Sequence, residues 1–199
     1  EIFRTIPGIR AESSGGEGNS NITVRGVPVS AGGSRYLLIQ EDGLPVMQFG
    51  DIAFGTQDQF TRFDSFVSRV EALRGGSASV FASNSPAGII NFITKTGEKE
   101  GGSITQQVGL NYKNFRTDID YGTPLGKDFY IGVGGFYRSG DGPRKTGYTS
   151  NNGGQFRLSL LKKLENGSIR IYGKYLDDRT AAYMPMPVSV SGSDSNPDY

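Results

Sequence analysis

The sequence predicts two architectures in series: a compact α+β unit over residues 1–98, then antiparallel strands over 99–199. Three observations predict this. The stretch from Val70 to Gly97, VEALRGGSASVFASNSPAGIINFITKTG, sets a strand-like VEAL and a β-branched, aromatic GIINFITK around tight turns of Gly, Asn, Ser and Pro. At Glu98–Gly102 the composition shifts, and from there apolar residues recur with a period of two. No apolar run approaches the roughly 20 residues of a membrane-crossing helix, so any crossing falls to strands.

The first unit reads as short strands between loops. Ile6-Pro7-Gly8-Ile9 is a turn between apolar runs, followed by a polar, glycine-rich loop over residues 11–20. Ile22-Thr23-Val24 alternates and stops at Arg25-Gly26, and the loop VPVSAGGS follows. Tyr36 to Gln40 is an apolar strand that turns at Asp42-Gly43 and returns through Leu44-Pro45-Val46. Gln48 to Arg62 is loop-like. Asp64 suits the N-cap of a short helical turn over SFVSR.

In the second unit Ile104, Gln106, Val108, Leu110 and Tyr112 alternate with Thr105, Gln107, Gly109, Asn111 and Lys113. Phe115, Ile119 and Tyr121 carry the alternation on, against Arg116, Asp118 and Asp120. Residues 123–128 are a short link. Phe129, Ile131, Val133 and Tyr137 mark the next strand, with Tyr130 and Phe136 spoiling its polar face. A polar loop over 139–154 precedes FRLSLLKKLE, a tight Glu165-Asn166-Gly167 hairpin, and Ile169, Ile171 and Tyr175 alternating with Arg170, Tyr172 and Lys174. A loop with Pro185 and Pro187 ends the chain. Alternation of this kind fits a soluble sheet with one wet face and a membrane barrel equally well.

Composition narrows the chemistry. A net charge of +1 gives no basic stripe and no case for nucleic acid. With no Cys and no His, thiolate and imidazole metal sites and Ser-His or Cys-His catalysis have no residues to use. Arg74-Gly75-Gly76-Ser77 lacks the Gly-Lys-Ser/Thr ending of a phosphate loop and reads as a packing turn. Asp118 and Asp120 share a strand face and could form a catalytic carboxylate pair; solvated charge is the better reading. The sequons at Asn21 and Asn166 fall on a strand entry and a hairpin turn. No enzyme and no cofactor is expected.

Residues 70–97 resemble the end of the plug domain of TonB-dependent outer-membrane receptors, whose pattern is close to IE-x-LRG-x-x-S-x-x-YG-x-x-x-x-GG-x-IN-x-x-TK. The matches are Val70-Glu71, Leu73-Arg74-Gly75, Ser77 or Ser79, Phe81-Ala82, Ala87-Gly88, Ile90-Asn91 and Thr94-Lys95. Phe81-Ala82 stands where Tyr-Gly is usual, and Ala87 replaces the first Gly of a pair. Ile6-Pro7-Gly8-Ile9, the strand ending in Arg25-Gly26, and the Asp42-Gly43-Leu44-Pro45 turn are similar to further plug segments. The resemblance implies a plug followed by about the first five strands of an outer-membrane barrel of about 22 strands with a filled lumen. It also implies contact with outer-membrane lipid, and a TonB-engaging peptide expected ahead of Glu1.

The resemblance further implies that Arg25 and Arg74, each in an Arg-Gly pair, latch the plug to barrel glutamates. Ligand contacts are expected on outward-rising loops, at Gln48, Phe49, Asp58 and Arg62, which combine an aromatic face with hydrogen-bonding groups. The family carries ferric siderophores, cobalamin, haem and oligosaccharides. The absence of His argues against haem ligation, and aromatic and amide groups suit sugars or aryl siderophores. A signalling receptor of the same architecture would need an extra domain ahead of the plug. A soluble, secreted, ligand-binding β-protein is the reading from a different class.

The orientation is testable. With the plug ending near Glu98 on the periplasmic side, the strand near 103–113 runs outward. The links at 123–128 and 165–168 are then periplasmic, and 139–154 and 180–199 are extracellular. An epitope at Gly147 is expected to be accessible on intact cells and one at Asn166 inaccessible; the reverse pattern overturns the orientation.

Overall fold

The computed structural model describes residues 2–12, 18, 20–27, 36–47, 57–75, 80–83, 85–142, 146–183, 189–193 and 196–198. The described residues of its first part form six strands in two small sheets. β1 (Ile9–Glu12) pairs antiparallel with β2 (Asn21–Val24). A four-stranded sheet follows in the order β4-β3-β6-β5, from β3 (Leu37–Glu41), β4 (Leu44–Pro45), β5 (Val67–Arg74) and β6 (Gly88–Thr94). β3 and β6 are parallel; the other two pairings are antiparallel. Helical structure among the described residues of this part is confined to 3-10 turns at Ile2–Thr5 and Gln57–Gln59.

One apolar cluster joins the two small sheets. Phe3, Ile9, Ile22, Val24, Leu37, Ile39, Ile90 and Phe92 are buried together. Alternation explains the choice: Leu37 and Ile39 point to this cluster, while Leu38 joins Ile89 on the other face. The parallel β3–β6 pair is buried on both faces, which is why both strands read as nearly continuous apolar runs.

From Gly101 the chain builds a five-stranded antiparallel wall in simple meander order: β7 (Gly101–Val108), β8 (Asn114–Gly126), β9 (Phe129–Gly140), β10 (Asn151–Leu164) and β11 (Gly167–Arg179). A small pair, β12 (Ser189–Ser193) and β13 (Asn196–Asp198), follows. Meander order puts the 126–129 and 165–166 turns at the end where the chain leaves β6, here called the near end. The connections 109–113 and 141–150 lie at the far end.

The wall is inverted relative to a soluble sheet. One face carries the row Ile104, Ile119, Gly135, Phe156 and Tyr175, matched strand by strand in register. The large members of that row are at least half exposed. The opposite face carries Asp118, Asp120, Arg138, Gln155, Arg157 and Ser159, all buried against the first part of the chain. Apolar outward and polar inward is the arrangement of a barrel wall in lipid.

Several expectations need correction: the first wall strand ends at Val108 and 109–113 is a turn, β8 runs on through the expected link to Gly126, and the tail expected as a loop carries the β12–β13 pair. Asp64 does cap a turn, its Oδ1 accepting from the Phe66 N–H at 3.1 Å, but SFVSR enters β5 rather than a helix. Pairing to β6 satisfies that backbone, and β-branched Val67 and Val70 fit a strand better than a short helix. The polar loop read over 139–154 is shorter than expected, since Ser139-Gly140 and Asn151–Gly154 belong to the β9–β10 ladder and the connection is 141–150. Asp118 and Asp120 are not solvated: they are 9% and 3% exposed, and each meets a cation.

Glycines let the two parts touch. Phe66 has no exposed surface, and its ring lies over Gly132 and Gly134 of β9. A Cβ at Gly134 would sit 2.7 Å from the Phe66 Cβ. Gly134→Val is therefore expected to lift Phe66 and destabilise the docked unit by about 1–3 kcal/mol. The checking measurement is the denaturant midpoint for protease protection of residues 57–75. An unchanged midpoint would mean that Phe66 has another seat.

Candidate functional site

The chemistry of the chain concentrates where the four-stranded sheet and the 57–66 segment meet the inner face of the wall. Arg157, in the middle of β10, is fully buried. Its Nε donates to Asp64 Oδ2 at 3.0 Å, and its two terminal nitrogens donate to Glu41 Oε2 and Oε1 at 3.2 and 3.1 Å. It also donates to the Arg62 carbonyl at 3.0 Å and to the Tyr172 hydroxyl. A planar fork suits this task, because one side chain satisfies two carboxylates, a carbonyl and a phenol at fixed angles.

Local structure brings the acids there. Glu41 ends β3, just before the Asp42-Gly43 turn, and receives Lys174 Nζ at 2.8 Å and the Thr61 hydroxyl. Asp64 is held by its own turn and accepts from Gln155 Nε2 at 2.6 Å. Asp42 has φ +51 and accepts from the Thr94 N–H at 2.9 Å, which ties the β3–β4 turn to the end of β6. Arg170 Nη1 then reaches Asp42 at 3.2 Å. The first part of the chain supplies the carboxylates and β10 and β11 the cations.

Toward the far end the polarity reverses. Arg62 Nε donates to Asp178 Oδ2 at 2.7 Å, and Arg138 binds the same carboxylate through two nitrogens at 2.7 and 2.6 Å. Arg62 Nη1 also holds the carbonyls of Asp58, Gln59 and Thr61 at 2.6, 3.1 and 3.0 Å. Arg116 chelates Asp118 at 2.7 and 2.8 Å and donates to the Phe63 carbonyl at 2.6 Å, its guanidinium 3.9 Å from the Phe136 ring centre. At the near end Lys95 reaches Asp120 at 2.6 Å and Lys163 pairs with Glu98. Ion pairs thus run the full height of the contact.

Gln57 is the other positioning residue. Its amide accepts from the Ile39 N–H at 2.6 Å and donates to the Leu37 carbonyl at 2.8 Å, taking the place of a neighbouring strand along β3. That fixes residues 57–64 between β3 and the wall.

Of the residues singled out by sequence, Asp58 and Arg62 come together here, 5% and 7% exposed, at the edge of an open cavity of about 930 Å³. Asp58 Oδ2 accepts from the Ser20 N–H at 2.9 Å. Gln48 and Phe49 lie outside the described residues. Arg25, at φ +49, and Arg74 meet no carboxylate among the described residues. Arg74 donates to the Pro7 carbonyl, and Glu71 pairs with Arg69 instead. Sequence reasoning missed Glu41, Asp64, Arg157, Arg170, Lys174 and Asp178. The available signal was the charge on alternate positions of 155–178, which read as a wet face.

Residues 1–89 match the family model described as TonB-dependent Receptor Plug Domain. The fold is similar to that of the pyoverdine outer-membrane receptor of Pseudomonas aeruginosa, with a TM-score of 0.67 and 19% identity over 87% of this chain. It is similar to the ferric yersiniabactin uptake receptor of Yersinia pestis, with a TM-score of 0.67 and 21% identity over 87% of this chain. It is also similar to the ferric preacinetobactin receptor of Acinetobacter baumannii, with a TM-score of 0.62 and 21% identity over 84%. The chain spans 24%, 28% and 23% of those three chains.

The Glu41 carboxyl gives a pH test. Burial pushes it up, but Arg157 and Lys174 outweigh burial and hold it below its ordinary value of 4.5. A carboxylate lowered in the folded state contributes stability that is complete above pH 4.5 and drains as the pH falls through the lowered value. Protease protection of residues 57–66 is expected to weaken below pH 4.5, and Glu41→Gln to flatten that dependence. An unaltered pH profile in Glu41→Gln would place the titration elsewhere.

Proposed function

We propose that the chain is the plug and opening wall of an outer-membrane importer, a reading supported by the match of residues 1–89 to the TonB-dependent receptor plug domain model. In this reading TonB, engaged by a peptide ahead of residue 1, supplies the drive, and the cargo is a bulky nutrient. The boundary between plug and barrel falls at residue 98. The inverted wall carries the reading: an apolar face of the right kind for lipid, backed by a polar face whose charged residues on β8, β10 and β11 meet the first part of the chain. A soluble ligand-binding sheet would leave that apolar row in water.

The cargo class is a ferric siderophore. Similarity of fold to several siderophore receptors supports this. Gln48, Phe49, Asp58 and Arg62 are the proposed ligand-facing set. The last two are buried, so a ligand reaches them only as residues 57–64 shift. Arg25 and Arg74 are proposed to latch onto glutamates of wall strands other than β7 to β11. The Arg157 cluster holds the opposite flank of the plug.

The mechanical role of these contacts is what the latch reading adds. A buried ion pair gives little net stability over an apolar pair, but removing one partner strands the other, at about 3–5 kcal/mol. Such contacts hold a plug in register and are separable by water entering as the plug moves. Arg157→Ala in the full receptor is expected to leave the barrel folded and raise passive entry of a large antibiotic. Arg25→Ala with Arg74→Ala is expected to do the same from the other flank. A deletion strain should lose growth on a ferric siderophore as sole iron source; loss on an oligosaccharide as sole carbon source instead would overturn the cargo class. Wild-type antibiotic entry in both variants would remove the latch.

A further inference from the structure

The outward face of the wall carries a cation that its strand neighbours leave without a counter-charge. Lys162 follows Phe156, Leu158 and Leu160 along the outward side of β10. Register sets it between Phe129 of β9 and Ile169 of β11, and its Nζ lies 4.0 Å from the centre of the Phe129 ring. Both of those strands pair with β10 here, so the position owes nothing to either edge of the wall. Lys163, next along the strand, points inward and spends its charge on Glu98. Lys162 pairs with no carboxylate among the described residues. The other charges on the outward face of β7 to β11 are Asp177 and Arg179 at the far end, which pair with each other at 4.0 Å.

We propose that Lys162 and Phe129 form a seat for the phosphate of a glycerophospholipid in the leaflet at the near end. The proposal rests on the reading of the wall as a lipid-facing barrel wall and adds a particular lipid contact to it. Depth is the first reason. Lys162 stands eight residues along β10 from Gly154, which lies opposite Asp177. At about 3.3 Å per residue and a tilt of about 40°, that is roughly 20 Å of height, close to the apolar band of ~25 Å in such a wall. Lys162 therefore stands where hydrocarbon gives way to headgroups, and its long stem lets the ammonium reach that plane while the methylenes stay against apolar side chains. Charge is the second reason. An ammonium at this level with no carboxylate turns to a phosphate oxygen, whose full charge makes it a stronger acceptor than water. The third is order: the ring face already holds the ammonium, so little side-chain freedom is lost when the phosphate arrives. At the far end the Asp177–Arg179 pair neutralises itself, which confines the attraction to one leaflet.

The test uses the full receptor, purified in detergent and taken through a delipidating wash. It is then incubated with phosphatidylglycerol, with a diacylglycerol of the same acyl chains, or with inorganic phosphate, and bound molecules are counted by native mass spectrometry. The unsubstituted receptor is expected to retain phosphatidylglycerol in preference to both other probes. Lys162→Gln is expected to lower that retention by about fivefold, Lys162→Arg to keep it, and Phe129→Leu to lower it by about twofold. Lys127→Gln, which removes the same charge from the neighbouring turn, is expected to leave it unchanged. Equal retention with and without Lys162→Gln overturns the seat, and so does an equal loss in Lys127→Gln. Diacylglycerol held as well as phosphatidylglycerol would mean adhesion of acyl chains without a phosphate seat. Inorganic phosphate held in preference to the lipid would assign the cation to a soluble anion; either result overturns the proposal. Cell fractionation tests the reading beneath it: a full receptor absent from the outer membrane removes the lipid-facing wall, whereas one present there with unchanged retention in Lys162→Gln removes only the seat.

Discussion

A guanidinium with no access to water must find its counter-charges inside the protein, and Arg157 finds two of them on a different part of the chain. Leaving it alone on β10 would bury an uncompensated charge, so the wall is complete on its inner face only with Glu41 and Asp64 in place. The converse also holds. Asp64 has no exposed side chain and depends on Arg157 and Gln155. Each part therefore supplies counter-charges for groups the other buries, and those pairs set the register between them.

That mutual dependence explains the geometry around it. Glu41 and Asp42 stand at the end of β3 because the turn they begin folds back onto β6, where the Asp42 carboxylate accepts the Thr94 N–H and hydroxyl at 2.9 and 2.7 Å. The Gln57 amide clips residues 57–64 to β3, which aims Asp64 at Arg157 and Arg62 at Asp178. Gly132 and Gly134 then admit the Phe66 ring, and Gly122 lets the exit strand pass with Gly97 Cα only 2.8 Å from where a Cβ would be. Larger residues at these positions would hold the two surfaces apart by more than a hydrogen bond can span.

The composition of the interface follows from what surrounds it. The wall turns its apolar side chains outward, so little apolar surface remains to bind the plug from within. Cohesion must come from charged and polar pairs, which are directional and exchangeable with water. Apolar burial is instead kept inside the plug, in the cluster around Ile39, Ile90 and Phe92. Phe66 on its glycine seat supplies an apolar contact between the two. On the importer reading proposed above, a plug held this way resists tilting and sliding, and its movement tears open no large dry surface.

The sequence by itself determined the strands and their order. Alternation in 104–108, 115–121 and 155–175 and the turn signals at Asp42-Gly43 and Asn166-Gly167 are local, and the structure has strands and turns there, although 109–113, read as strand, is the turn between β7 and β8. The resemblance over 70–97 placed the change of architecture near Glu98. Local pattern failed where backbone pairing decided the matter, as in SFVSR, which joins β5 because β6 offers it partners. It failed also for every long-range ion pair. Asp64 and Arg157 are 93 residues apart, and Glu41 and Arg157 are 116 apart, with no periodicity linking them. Period two tells which residues share a face; it cannot tell whether that face meets water or another part of the chain. Only tertiary structure decided that the charged face of the wall is dry, because dryness depends on what is docked there and not on the strand itself.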